Sequence, residues 1–236
     1  MSNFGFLHLR VVQPYDLAFR EARSAVGAAA IMKQAEEFST LAEAVADCSL
    51  VVGTTTLRDR QVQHPMHRLE AGAVEIRKAL ATQRVALLFG SEKVGLSNED
   101  LSRCHWLMHI PTRDAHPSMN LGQAVAICLY EIVRNVNGSA PDPTSSQDPA
   151  SQSRVRKPHS PAASTSTPLP APAAALERLT ITLLNALQAS GYLTEAPNDL
   201  AKAKARRLIH RLNLNSEDAE LLQGMLRQIF WKLRSH

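Results

Sequence analysis

Cysteine is scarce in this 236-residue chain: Cys48, Cys104 and Cys128 are odd in number and show no C-x-x-C spacing. That argues against a disulfide framework and against a thiolate zinc site, and a reducing cytosol suits such a chain. Long apolar runs are missing too. No stretch approaches the roughly 18 uncharged apolar residues a membrane span needs, which predicts a soluble protein with no membrane partner. The first residues lack a basic n-region followed by an apolar run, so they do not read as a targeting segment. There is no G-x-x-x-x-G-K-[ST], no G-x-G-x-x-G and no G-x-S-x-G, so the phosphate-loop, dinucleotide and nucleophile-elbow readings all lack their key residues. His105, His109 and His116 lie near Cys104, but neighbours on a strand face opposite ways and no two share helical i, i+4 spacing. No metal site is expected.

What the chain does have is 44% hydrophobic residues, enough for one good core and a smaller second one. The net charge of +4 is unevenly placed: residues 1–136 balance to zero, while residues 175–236 carry a surplus of three. A neutral body with a basic appendage fits a polyanionic partner, and a solvated face fits it as well. Between them, residues 137–174 hold eight of the thirteen prolines and almost no large apolar side chain. Such a segment buries too little surface to offset the entropy of ordering and reads as a disordered linker.

The first body, residues 1–136, alternates short apolar runs with amphipathic stretches. Strands are expected at Leu9–Val12, Ser49–Gly53, Val85–Phe89 and Trp106–Ile110. Helices are expected at Ala18–Ala29, Leu41–Asp47, Pro65–Ala81, Asn98–Arg103 and Leu121–Asn135. Alternation of this kind predicts an α/β fold with a parallel sheet flanked by helices on both faces. The second body, residues 175–236, reads as all helical. Leucines recur at three-and-four spacing from Leu176 to Leu187 before Gly191, AKAKARRLIHRL follows, and a third pattern opens with Ser216 as its N-cap and Glu217 and Asp218 in its first turn.

Ligands of open parallel sheets bind beyond the carboxyl ends of the strands, where this chain reads VGTTT, FGSEKVGLSNEDL and IPTRDAHPSMNLGQA. Gly90 and Gly95 bracket a loop whose backbone can approach a flat ligand with no Cβ in the way, and Glu92 is a carboxylate inside it. Salt bridging or capping would account for Glu92 equally well on spacing alone. Ser97 and Asp100 form an S-x-x-D cap for the next helix, and Asn120 with Gln123 forms an N-x-x-Q cap, with Ser118 crowded into the same turn. At the amino end, Asn3-Phe4-Gly5 reads as the exit of a helix, with Gly5 supplying the left-handed conformation.

FGSEKVGLSNEDL followed, after a strand, by IPTRDAHPSMNLGQAVAICLYE closely resembles the second and third motifs of the SpoU-type RNA ribose 2′-O-methyltransferases of the SPOUT superfamily. VGTT and the preceding AEAVADCSLVV are similar to that family as well, so the resemblance covers about residues 1–136. ARRLIHRLNL and LLQGMLRQI resemble the C-terminal extension of the bacterial branch that methylates the tRNA anticodon loop. The resemblance implies a trefoil-knotted α/β domain that binds S-adenosylmethionine, in a cytoplasmic homodimer with the active site near its interface. By matching motif positions, Thr54, Thr55, Thr56, Gly90, Gly95, Ile110, Pro117, Ser118 and Met119 would line the cofactor. Glu92, Ser118 and Asn120 are the catalytic candidates, and Lys202, Lys204, Arg206, Arg207 and Arg211 would grip tRNA phosphates. The family's first motif ends in an arginine followed by Ala-Met and Phe-Gly. MSNFGF matches only the end of that motif, which implies a strand and most of a helix, about twenty to thirty residues, in front of Met1. A chain without that arginine also admits a reading from another class, a non-catalytic RNA-binding or dimerisation relative.

Overall fold

The structure is a computed structural model that describes residues 1–14, 27, 29–56, 63–113, 115, 116, 118–134 and 168–235. Most of the helix expected at Ala18–Ala29, Pro117 of the third motif, and residues 137–167 of the expected linker lie outside the described residues.

Four strands form the central sheet: β3 (Leu50–Thr54), β4 (Met66–Arg68), β5 (Val85–Leu88) and β6 (Trp106–His109), all parallel, in the order β4-β6-β3-β5. Two more, β1 (Arg10–Val12) and β2 (Glu36–Phe38), pair in parallel as a separate ribbon, and the short helix α1 (Ala29–Lys33) leads into β2. The period of two along a strand sorts β3 onto two faces. Val52 packs with Met108 against helices α3 (Leu69–Leu80) and α5 (Leu121–Val133), through Leu69, Ala73, Ile76, Cys128, Leu129 and Ile132. Val51 and Leu107 pack on the other side with Val45, Cys48, Leu96, Leu101 and Cys104, around helices α2 (Leu41–Ala44) and α4 (Asn98–Ser102). The sheet is helix-flanked on both faces, as the strand–helix alternation predicts.

Two strands escaped the sequence reading. Glu36–Phe38 is Glu-Glu-Phe, without an apolar run, and it pairs because the Arg10 guanidinium across the register meets Glu36 at 3.2 Å and stacks 5.5 Å from the Phe38 ring. Helix was expected from Pro65, but Met66–Arg68 is strand. The Leu107 N–H donates to the Pro65 carbonyl at 2.9 Å and the His67 ring packs edge-on against Trp106, so the helix starts only at Leu69. The amino-terminal reading holds: Ser2–Phe4 is a short 3₁₀ turn closed by Gly5 at φ +78°, with the Gly5 N–H donating to the Ser2 carbonyl.

Three helices build the second body: α6 (Ala173–Ala189), α7 (Asp199–Arg211) and α8 (Ser216–Arg234). Their core is Leu176, Leu179, Ile209 and Ala219 with Ala171. Gly191 at φ +77° follows α6 where the sequence places the stop. The cap of α8 is Asn215 rather than Ser216, because the Asn215 amide oxygen accepts from the Asp218 N–H at 2.8 Å.

The expected linker boundary at Ala174 is corrected. Pro170 bridges to Asn215, Ala171 is buried, and the Ala173 and Ala174 N–H groups donate to the carbonyls of Cys48 and Ala46 at 2.8 and 3.0 Å. Small residues and prolines looked incapable of order because they bury little themselves; here their backbone is held by the first body and by α8's entry. The helical tail thus sits against the α2 and α4 side of the sheet.

Candidate active site

Because β3, β5 and β6 run in parallel, Thr54, Phe89–Gly90 and Ile110 leave the sheet at one edge, in neighbouring strands. The Thr54 hydroxyl donates to the Leu88 carbonyl at 2.8 Å and the Thr55 N–H donates to the Met108 carbonyl at 3.0 Å, which ties the three strand ends together. Thr56 follows as the last described residue of that loop, and its carbonyl accepts from the Thr55 hydroxyl at 3.2 Å.

The loop after β5 closes on itself. Ser91 and Gly95 bridge, the Gly95 N–H donates to the Ser91 carbonyl at 2.9 Å, and Gly95 adopts φ +69°. A Cβ on Gly90 would sit 2.0 Å from the Gly95 carbonyl carbon and 2.2 Å from the Leu96 nitrogen. The chain itself occupies that space, so the missing Cβ at Gly90 is demanded first by a backbone crossing and not by a ligand. Glu92 projects from this loop into solvent, with no hydrogen-bond or ion-pair partner among the described residues. The next helix starts with a complete capping box: the Ser97 hydroxyl accepts from the Asp100 N–H at 3.1 Å and the Asp100 carboxylate accepts from the Ser97 N–H at 2.9 Å.

From β6 the chain passes Ile110, packed at the margin of the α3–α5 core, and reaches α5. Asn120 caps that helix, its side-chain oxygen accepting from the Gly122 and Gln123 N–H groups at 2.9 and 3.3 Å. Capping uses the oxygen and leaves the Nδ2 donor. Ser118 is exposed with no partner among the described residues, and Met119 is half-buried.

A flat heterocycle recognised by backbone groups needs unpaired donors at a strand edge. Gly90 and Ile110 provide them, for their N–H groups have no hydrogen-bond partner among the described residues. With threonine hydroxyls on the central strand and an apolar flank at Ile110 and Met119, these residues fit the adenosyl part of S-adenosylmethionine. No group of three or more His, Cys, Asp or Glu among the described residues is placed to hold a metal ion. The thiols are structural: burial pushes Cys48 up to about 11 and Cys128 up to about 12, and raises Cys104 further.

The tail residues do not behave as one basic face. Arg206 is corrected outright: it is 8% exposed, its Nε and Nη2 donate to both Glu177 oxygens at 2.8 and 2.7 Å, and its Nη1 donates to the Ser102 hydroxyl at 3.3 Å. A guanidinium committed this way is a clamp between α4, α6 and α7, which helical periodicity alone did not distinguish from an outward-facing cation. Arg207 is half-buried and donates to the Gln63 side chain at 2.8 Å. Lys204 and Arg211 are exposed without partners among the described residues, and Lys202 is exposed beside Asp199 at 3.4 Å. Sequence reasoning weighed His105 only as a metal ligand and missed His64 and His210, the other histidines of this seam. The His105 and His210 rings meet at 4.4 Å between centroids, and the Val51 N–H donates to His105 Nδ1 at 3.1 Å. Burial lowers His64 and His105 to about 4 and, with His105 and His64 beside it, His210 to about 3.

Comparison with known proteins bears on the same residues. The SpoU rRNA Methylase family matches residues 1–130, which include every sheet-edge residue above. A tRNA (cytidine/uridine-2′-O-)-methyltransferase TrmJ from Sodalis glossinidius is 34% identical over 232 residues, covering 97% of this chain and 83% of that protein. The TrmJ of Salmonella typhimurium is 32% identical, covering 97% and 87%. The crystal structure of TrmJ from Z. mobilis ZM4 superposes with a TM-score of 0.77 at 30% identity, over 97% of this chain and 89% of that one. The parallel sheet, its two loops at the carboxyl edge and these matches together establish that the chain belongs to the SpoU methylase family and has the SPOUT fold.

Proposed function

We propose that this protein is an S-adenosylmethionine-dependent tRNA 2′-O-methyltransferase that modifies the ribose of a cytidine or uridine in the anticodon loop. The observation that carries the reading is similarity along 97% of the chain to TrmJ proteins, body and helical tail together. A tail shared at that coverage matters, because a methylase domain alone would leave the RNA class open.

The cofactor supplies a sulfonium methyl when bound. The chain's own part is to hold that methyl in line with a ribose oxygen and to handle the hydroxyl proton. Thr54, Thr55, Thr56, Gly90, Gly95, Ile110, Pro117, Ser118 and Met119 form the cofactor cradle in this proposal. Glu92 and Ser118, exposed and without partners among the described residues, are the groups free to accept or orient the ribose proton. Asn120 directs its remaining amide donor while its oxygen fixes α5. Lys202, Lys204, Arg207 and Arg211 meet the phosphates, and Arg206 keeps the helix carrying them in place.

A knotted homodimer belongs to the same proposal. Supporting the dimer, α5 leaves Ile127, Tyr130 and Val133 exposed by 39, 52 and 43% at three-residue spacing, a face an apolar partner surface would cover. Cytoplasmic placement agrees with three buried, unpaired cysteines.

The test is methyl transfer from labelled S-adenosylmethionine to an unmodified tRNA transcript, followed by nuclease digestion and mass spectrometry. A 2′-O-methylated pyrimidine riboside from the anticodon loop is expected. Cofactor binding without incorporation into ribose would favour the non-catalytic reading instead.

A further inference from the structure

We infer that the far end of the helical tail holds a stacking site for a single unpaired nucleobase, in the groove between the carboxyl ends of α6 and α8. The inference rests on the tRNA reading for the source of the base, but the groove's chemistry stands by itself.

Helices α6 and α8 run side by side in the same direction, since the Gln223 amide meets Thr182 at 2.6 Å while Phe230 and Arg234 reach Asn185, Gln188 and Ala189. These five residues line an open groove of about 300 Å³. Its floor is aromatic and cationic: the Arg234 guanidinium lies over the Phe230 ring, 5.5 Å from the centroid. Its wall carries two primary amides, and neither Asn185 nor Gln188 has a side-chain hydrogen-bond partner among the described residues. Arg234 has no carboxylate partner among the described residues, so its guanidinium is engaged there by the Phe230 ring alone and keeps its other face for a ligand.

That set fits one ligand class. Flat rings stack on aromatic faces and guanidinium planes, and side-chain amides match the donor–acceptor edges of bases. A phosphate fits worse, because two helix carboxyl ends bring their negative dipole ends to this place. Duplex RNA fits worse as well, for its bases are stacked on each other. The occupant is a splayed, single-stranded nucleobase, and the site lies apart from the strand edge where the methyl is transferred.

The experiment uses the full chain and two RNAs. Binding is read by fluorescence anisotropy with a labelled unmodified tRNA transcript and with a labelled oligouridylate, and a duplex of the same length is the control. Phe230→Leu removes the ring but keeps apolar bulk, and Arg234→Lys keeps the charge but removes the plane at an exposed position that cannot unfold the helix. Each is expected to weaken oligouridylate and tRNA binding by about fivefold or more, the low end of a stacked base's contribution. The salt dependence should keep its slope in Phe230→Leu, since no phosphate contact is lost. Wild-type affinity for both RNAs in Arg234→Lys and Phe230→Leu overturns the inference, even if methyl transfer proceeds. If the wild type binds oligouridylate, both variants weaken that binding, and tRNA is neither bound nor methylated, the groove stands and the tRNA reading falls.

Discussion

Replacing Glu177 by glutamine tests how the tail is fixed to the methylase body. Glu177 receives two parallel hydrogen bonds from Arg206, at 2.8 and 2.7 Å, and a second cation, Arg103, stands 3.4 Å away. Arg206's side chain is 9% exposed and that of Glu177 24%. Burial alone would raise the Glu177 carboxyl, yet Arg206 and Arg103 together hold it below the usual range, so the pair is charged at neutral pH. Glutamine would leave two guanidinium groups facing a neutral amide, one of them buried. Breaking a buried pair from one side costs about 3–5 kcal/mol, and the partial exposure of Glu177 places this case near about 3 kcal/mol. Arg206→Met should cost less, about 1–2 kcal/mol, because Arg103 still neutralises the carboxylate. The double variant Glu177→Leu with Arg206→Met should be more stable than Glu177→Gln alone, since no unpaired charge remains buried. Urea unfolding gives these differences as shifts in midpoint at constant slope. The reasoning is refuted if Glu177→Gln unfolds at the wild-type midpoint. It is refuted also if Arg206→Met leaves the midpoint alone but lowers tRNA affinity and its salt slope, which would make Arg206 a phosphate contact after all.

Gly90→Ala places a carbon 2.0 Å from the backbone of Gly95 and should cost several kcal/mol, read as a loss of soluble folded protein or a large drop in melting temperature. Asn120→Ala removes the α5 cap and should cost about 1 kcal/mol, while Asn120→Asp retains the capping oxygen and should melt like the wild type. Lys204→Ala with Arg211→Ala should weaken tRNA binding and reduce the slope of log affinity against log salt by about 2, with no change in melting temperature. Acid should loosen the seam between tail and body. Burial keeps His105 and His210 neutral down to about 4 and about 3, whereas unfolded histidine takes its proton near 6.5. Their contribution is therefore complete above pH 6.5 and is lost as pH falls toward those folded values, at up to about 1.4 kcal/mol per pH unit for each. Urea midpoints between pH 7 and 4.5 measure it, and His210→Gln should flatten the decline.

Sequence pattern read the repeating parts of this fold well and the pairwise parts badly. Val51 and Val52 declare a strand buried on both faces, and Leu176, Leu179 and Leu183 declare a helix stripe, because burial imposes a period on adjacent positions. Glu36–Phe38 and Met66–Arg68 have no such period; each is strand only because Arg10 or Trp106 waits across the sheet. Arg206 failed for the same reason, since its partner Glu177 lies 29 residues away and a solvated arginine looks identical in sequence. The ordered stretch from Pro168 to Ala174 is held by carbonyls of Ala46 and Cys48, by Leu214, Asn215 and the Ser216 N–H, and by the burial of Ala171, contacts that composition cannot express.

The active-site motifs divide along a related line. Most motif positions have a task in the fold before they have one in chemistry: Gly90 yields space to Gly95, Gly95 takes a positive φ, Ser97 and Asp100 cap α4, Asn120 caps α5, and the Thr54 hydroxyl binds the neighbouring strand. Motif resemblance at these positions therefore speaks for the fold at least as strongly as for catalysis. Glu92 and Ser118 differ, being exposed and without partners among the described residues. A side chain with no structural role can be changed without cost to stability, so Glu92→Gln and Ser118→Ala should melt as the wild type does while lowering kcat for ribose methylation. If Gly90 and Asn120 variants lose activity only in proportion to lost folded protein, while Glu92 and Ser118 variants lose it at full stability, chemistry lies with the second pair. Equal kcat in all folded variants would instead place it on residues outside these two loops.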